Sequence, residues 1–189
     1  MIVVVRHGET EWSRLRKHTG RTDIPLTERG REQARTLAAT LSGRAFDRVL
    51  VSPLSRARET CELAGFGGQA TTVGDLREWD YGAHEGLVTD EVRQTEPGWS
   101  VWESAAPGGE SVADVAARAD HVVALLRSQP GDILVFAHGH ILRVLAARWA
   151  GLPPETGRRL LLGTAALGVL AYEHGEGAIA SWNLTVLPR

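Results

Sequence analysis

Two apolar, β-branched runs in this chain end alike. Residues 2–5 (IVVV) lead into Arg6, His7 and Gly8, and residues 133–137 (ILVFA) lead into His138 and Gly139. Each run has the density of a buried parallel strand, and the glycine breaks it. The chain must therefore cover both faces of two such strands and leave a histidine at the carboxyl end of each. Open α/β sheets bind ligands at those ends, and two histidines placed there can face one pocket. His7, between an arginine and a glycine, suggests a phosphoryl-accepting nucleophile. An imidazole attacking phosphorus must be neutral at the attacking nitrogen, fixed in one tautomer and close to cations that match the phosphoryl charge. Arg6 supplies one such cation, with a planar fork of donors that stays charged at any working pH. The tripeptide alone recurs by chance, so its weight comes from the other segments.

Residues 52–60, SPLSRARET, follow a short apolar run at 49–51 and read as a helix with Pro53 early in it. Arg56 then lies in the first turns, where free N–H groups and the helix dipole already favour an anion, whereas Arg58 fits a solvated position. Residues 75–82, DLREWDYG, set a carboxylate among Leu76, Trp79 and Tyr81. A carboxylic acid so surrounded keeps its proton longer than a solvated one, as a general acid must. Composition does not separate Asp75, Glu78 and Asp80, and Glu78 is taken as the acid.

No metal and no cofactor is expected. Cys61 stands alone, no HExxH occurs, and His138 and His140, two residues apart on a strand-to-helix turn, are expected to point apart. A net charge of −2 over 189 residues gives no pull toward nucleic acid or a membrane surface. The first residues run directly into strand and loop, which leaves no room for a signal peptide, and no apolar run is long enough to span a bilayer. One cysteine excludes an internal disulfide and fits a reducing, cytoplasmic setting. The expected partner is a small phosphorylated molecule. The oligomeric state is not set by the sequence, and a homodimer stays open.

The four segments together resemble the histidine phosphatase superfamily, also called phosphoglycerate-mutase-like, over nearly the whole chain and in the family's order. The resemblance implies His7 as nucleophile, Arg6, Arg56 and His138 as the phosphate pocket, and Glu78 as proton donor. It implies supporting roles for Ser13, Thr19, Gly20 and Gly139 around that pocket. His7 would take the phosphoryl group while Glu78 protonates the departing alkoxide, and the same glutamate would then activate the water that cleaves the phosphohistidine. A protonated His138 would add to the two guanidiniums around the phosphoryl oxygens.

TGRTDIPLT at 19–27, DLREWDYG, the pair Trp99 and Trp102 before PGGES, and AHGHILR resemble the sedoheptulose-bisphosphatase-like and broad acid phosphatase branch. That likeness implies a sugar phosphate or bisphosphate, with His140, Tyr81 and Trp102 as specificity residues. A mutase must shield its phosphoenzyme from water with a long basic lid. Residues 83–106 instead carry Glu85, Asp90, Glu91, Glu96 and Glu103 against one arginine, Arg93, which disfavours that alternative. A non-catalytic phospho-ligand binder is the other alternative, and it would have no use for Glu78. The basic cluster Arg14, Arg16, Lys17, His18 and Arg21 reads as a solvated loop rather than a second phosphate site.

The expected architecture is a three-layer α/β/α sandwich with a mostly parallel sheet, a single domain over 1–189 and a small cap at about 83–110. A helix should run from about 28 to 41 with Ala34, Leu37, Ala38 and Leu41 on one face. Ser111 and Asp114 resemble a capping box, opening a helix whose Val112, Val115, Ala119, Val122 and Leu126 face the core. Residues 167–172 and 179–184, with GEG at 175–177 between them, read as a hairpin.

Overall fold

The computed structural model describes residues 1–185. Its six-stranded sheet comprises β1 (Ile2–Arg6), β2 (Arg48–Val51), β3 (Ala70–Thr72), β4 (Ile133–Ala137), β5 (Leu167–Glu173) and β6 (Glu176–Leu184), in the spatial order β3-β2-β4-β1-β5-β6. The pairs β3/β2, β2/β4 and β4/β1 are parallel, and β5 and β6 close that side as an antiparallel pair. The helices are α1 (Glu11–Arg14), α2 (Glu28–Leu41), α3 (Ser55–Leu63), α4 (Thr89–Thr95), α5 (Val112–Ser128) and α6 (Gly139–Trp149). Among the described residues no helix is long and apolar enough to cross a membrane.

Side-chain alternation along the central strands divides the core into the expected layers. Val3 and Val5 pack with Leu37 and Leu41 of α2 and Ala57 and Cys61 of α3, whereas Ile2 and Val4 pack with Val115 and Val122 of α5 and Ile141 and Leu145 of α6. A β1 buried on both faces explains why it reads as a continuous apolar run. The expected helix starts hold: Thr27 accepts from the Gly30 N–H at the head of α2, and Ser111 and Asp114 form the reciprocal cap of α5. On α2 only Ala34, Leu37 and Leu41 of the expected face are fully buried.

Two local readings shift. Pro53 lies before α3 rather than inside it. Leu54 has no side-chain oxygen to cap the helix, and the Asp23 carboxylate does so from a distant loop, accepting from Ser55 N–H at 3.0 Å and Ser55 Oγ at 2.9 Å. The β5–β6 hairpin turns on His174 and Gly175, both at positive φ (51° and 87°), and Glu176 already belongs to β6. A two-residue turn of that hand matches the twist of the strands it joins.

The register sets the site. Arg6 lies beside Ala137 in the β1/β4 ladder and Val51 beside Phe136 in β2/β4, so His7, Ser52 and His138 leave neighbouring strands at the same level. His7 N–H donates to Ala137 O and Ser52 N–H to Phe136 O, which extends each ladder by one bond past the strand end.

Candidate active site

The His7 and His138 rings lie 5.2 Å apart, as the matched strand ends require. His7 is 4% exposed, and its Nδ1 contacts the carbonyl oxygen of Gly8 at 2.7 Å. A carbonyl only accepts, so Nδ1 carries the proton and Nε2 keeps its lone pair. Burial, reinforced by the charges of Arg6 and Arg56, holds the His7 pKa well below its ordinary value of 6.5. The ring is thus neutral in a single tautomer, as an attacking imidazole must be.

His138 is fixed the opposite way round. Arg56 Nε–H donates to its Nδ1 at 3.2 Å, so Nε2 carries the proton and donates to Ser52 Oγ at 2.7 Å. Burial and then the Arg56 charge hold the His138 pKa well below 6.5, so His138 is neutral and the imidazolium of the sequence reading is not formed. Arg56 is a fully buried cation. It donates to the carbonyls of Thr19, Gly20 and Thr22 and lies 3.6 Å from the Asp23 carboxylate. Burial lowers its pKa against the opposing charges of Glu78 and Asp23.

Beside these groups opens a cavity of about 950 Å³, whose lining includes Arg6, His7, Glu78, Gly139 and His140. Arg6 Nη1 donates to Leu162 O at 2.6 Å, while its Nε is buried without a partner. A buried guanidinium donor without a partner, on a residue that lines the cavity, makes Arg6 the candidate anion contact. Gly139 permits the approach, because a Cβ there would fall 3.3 Å from Arg6 Cζ and Nε. Arg56 and His138 do not line the cavity; they adjoin His7 inside the protein.

Glu78 is 7% exposed, yet its surroundings are not the apolar cage that the sequence suggested. Oε1 accepts from the N–H groups of Trp79 (3.0 Å) and Ile141 (2.9 Å), and Oε2 from the N–H of His140 (3.0 Å). The first turn of α6 therefore aims the carboxyl group into the cavity. Geometry also separates the three acids: Asp75 pairs with His121, Asp80 with Arg21 and the Gly82 N–H, and Glu78 alone reaches the cavity.

The supporting residues divide. Ser13 and Thr19 line the cavity, although the Ser13 hydroxyl is engaged in the Thr10 capping box and that of Thr19 donates to Lys17 O. Gly20 does not line it. Its carbonyl anchors Arg56, and a Cβ there would fall 2.6 Å from Trp79 O. Tyr81 and Trp102 do line it, and His140 joins them through a 2.6 Å bond between its Nδ1 and the Tyr81 hydroxyl and a ring contact of 5.3 Å with Trp102. Burial holds His140 neutral and keeps Tyr81 protonated. His138 and His140 do point apart, one to Ser52 and the other to Tyr81.

Two readings of charge change once the direction of the side chains is seen. Arg16, Lys17 and His18 of the supposed solvated loop line the cavity, while Arg14 pairs with Glu11 and Arg21 with Asp80. His18 adds no charge, because burial against Tyr81 and Trp99, with His84 nearby, lowers its pKa to about 4. None of the five lid acids lines the cavity, and Arg93 does. Glu85 binds the backbone at Arg21 and Thr22, Glu91 caps α4, Glu96 meets His84 and Glu103 meets Arg158. Counting charges along a segment takes no account of which way they face, and the face toward the cavity is basic.

Ser52 and Arg143 had no role in the sequence reading. Ser52 stood at a strand end, the position that signalled both histidines; Arg143 gave no signal beyond its place in AHGHILR. Among the described residues no group of three or more His, Cys, Asp or Glu side chains is arranged to hold a metal ion.

A fold of this topology with two strand-end histidines defines a class, and residues 2–185 match the model of the histidine phosphatase superfamily, branch 1. The chain belongs to that family and is a phosphatase by membership. It is 42% identical over 192 residues to an acid phosphatase of Mycobacterium tuberculosis, covering 100% of this chain and 94% of that relative. It is 33% identical over 182 residues to the sedoheptulose 1,7-bisphosphatase of Saccharomyces cerevisiae, covering 79% of this chain and 67% of that relative. The solved structure of the open reading frame Rv3214 of Mycobacterium tuberculosis superposes with a TM-score of 0.91 at 42% identity, covering 97% of this chain and 96% of that one.

Proposed function

We propose that the protein hydrolyses a small phosphomonoester, a sugar phosphate or bisphosphate, through a phosphohistidine at His7 and without a metal. His7 Nε2 attacks phosphorus in line, the ester P–O bond breaks, and Glu78 gives its proton to the departing oxygen. Glu78 then takes a proton from a water that attacks phosphorus, the P–N bond breaks, and inorganic phosphate leaves. Arg6 donates to the phosphoryl oxygens through its unpaired Nε–H, and Arg56 adds charge from within. Ser52 and Arg56 position His138, which packs the nucleophile from one side.

The observation that carries this reading is the state of His7: neutral, with Nδ1 bonded to Gly8 O and Nε2 unencumbered, in a cavity that also receives the Arg6 guanidinium and the Glu78 carboxyl group. Cavity size and the walls formed by Tyr81, Trp99 and Trp102 support a leaving group of sugar size. The likeness to a sedoheptulose bisphosphatase supports the sugar class. A mutase keeps some support of its own from the basic cavity face.

The test is release of inorganic phosphate from sugar phosphates, sugar bisphosphates, phosphoglycerates and an aryl phosphate, with a chelator present and His7→Ala as control. His7-dependent release from a sugar phosphate supports the proposal. Isomerisation of a phosphoglycerate without release would favour the mutase. Binding without turnover would favour the phospho-ligand binder.

A further inference from the structure

On α6, Ile141, Leu142, Val144 and Leu145 are wholly buried in the core, whereas Gly139, His140 and Arg143 line the cavity. His140 and Arg143 are three residues apart and share a face, with Arg143 about 4.5 Å further along the helix axis. Arg143 therefore lies within one helical turn of the N–H groups that hold Glu78 and lines the same cavity. The leaving group must extend into that cavity, because His7 lines it too.

The Arg143 guanidinium is held with unusual care. Nε donates to Gly157 O at 2.8 Å, Nη2 donates to Arg158 O at 2.9 Å, and the group lies 5.0 Å from the centre of the Trp102 ring. Nη1 has no partner among the described residues, and no carboxylate pairs with the side chain there. Glu78, the proposed proton donor, is the carboxyl group that acts on it. Of the other cations that line the cavity away from His7, Arg16 is exposed and screened by water, Arg93 is exposed with its Nε bound to Trp99 O, and Lys17 lies over the Trp12 ring. Arg143 is partly buried, and burial lowers its pKa from the ordinary arginine value. A preorganised cation with no carboxylate partner, in the cavity that must hold the leaving group, is what recognition of a second anion requires.

We propose that Arg143 determines specificity for an anionic group, carboxylate or phosphate, carried by the leaving group of the substrate. This rests on the phosphatase reading and narrows it: a phosphomonoester whose alcohol is itself charged is preferred over its neutral counterpart. Because Arg143 meets a part of the substrate that does not react, its contribution is to binding and is read mainly in KM.

The experiment compares wild type, Arg143→Gln and Arg143→Lys on two matched pairs: 3-phosphoglycerate against glycerol 3-phosphate, and a hexose 1,6-bisphosphate against the hexose 1-phosphate. The expected wild-type preference, as a ratio of kcat/KM, is roughly tenfold to a hundredfold for the charged member of at least one pair. Arg143→Gln collapses that ratio through KM, and Arg143→Lys restores part of it. A preference confined to the first pair identifies the anion as a carboxylate, and one confined to the second as a phosphate. A wild-type ratio near one, or a ratio unchanged in Arg143→Gln, overturns the proposal while leaving the phosphatase reading intact. A fall in kcat on both members of a pair, with the ratio kept, assigns Arg143 to the support of α6 and Glu78 and also overturns it. Absence of His7-dependent release from every compound would remove the phosphatase reading, and this proposal with it.

Discussion

Replacing Glu78 by glutamine tests proton donation and structure in one variant. The carboxylate accepts three backbone N–H groups, two at Oε1 and one at Oε2. A glutamine oxygen placed at Oε1 keeps the bonds from Trp79 and Ile141, but its NH2 group then meets the His140 N–H donor to donor. A hydrogen bond to a charged group is worth about 1.5–3 kcal/mol, so losing one and weakening two should destabilise the fold by about 2–3 kcal/mol. In a chain of this length that lowers the melting temperature by roughly 4–12 °C, leaving a folded enzyme to assay. The chemical loss must depend on the leaving group. An alkyl phosphate, whose alkoxide departs poorly without a proton, should lose about 10²–10⁴-fold in kcat, and an activated aryl phosphate much less. Steady-state kinetics on an alkyl and aryl series, with a melting curve for each protein, measures both effects. Equal losses across the series would refute proton donation by Glu78, and an unchanged melting temperature would refute the three-donor cradle.

His7, His138 and His140 all have pKa values held well below 6.5, so below that pH the unfolded chain binds protons that the native state does not. Stability should therefore fall as pH drops through 6.5 and keep falling toward the folded-state pKa values, by up to about 4 kcal/mol per pH unit from the three together; melting temperature against pH measures it, and a flat curve would contradict the neutral histidines. For the same reason kcat/KM should show no loss near pH 6.5 from protonation of His7, so an acid limb centred there would contradict the state assigned to it. Ser52→Ala leaves the buried His138 Nε2–H without an acceptor, which should cost about 1–3 kcal/mol in a denaturant titration and lower kcat; full activity would remove the positioning role of Ser52. Gly139→Ala presses a methyl group onto the Arg6 guanidinium, so phosphate binding measured by calorimetry should weaken about tenfold with little change in melting temperature.

Strand-end chemistry was legible from the sequence because it depends on local pattern. A β-branched run closed by glycine states where a strand stops, and parallel pairing then fixes which side chains meet, so His7 and His138 could be paired before any coordinates were known. The cap at Ser111 was legible for the same reason. What failed were readings that needed the direction of a side chain. The acids of residues 83–106 outnumber Arg93 yet all face away, and Arg16 and Lys17 looked like loop residues until the fold curled their segment over the cavity. Glu78, taken from the sequence as the acid, does line the cavity, but the apolar neighbours that suggested it are only part of its setting, since two of its three backbone donors come from a helix more than sixty residues later. The Asp23 cap on α3 and the Gly157 and Arg158 carbonyls on Arg143 are equally non-local.

The central claim is that His7 carries the phosphoryl group during turnover. Rapid acid-free quenching of the enzyme with substrate, followed by peptide mass spectrometry under alkaline conditions, tests it most directly. The account predicts one phosphoryl group on the peptide containing His7, stable to base and labile to acid, and absent from His7→Ala. Turnover with no such adduct, and with inversion of configuration at phosphorus, would contradict it.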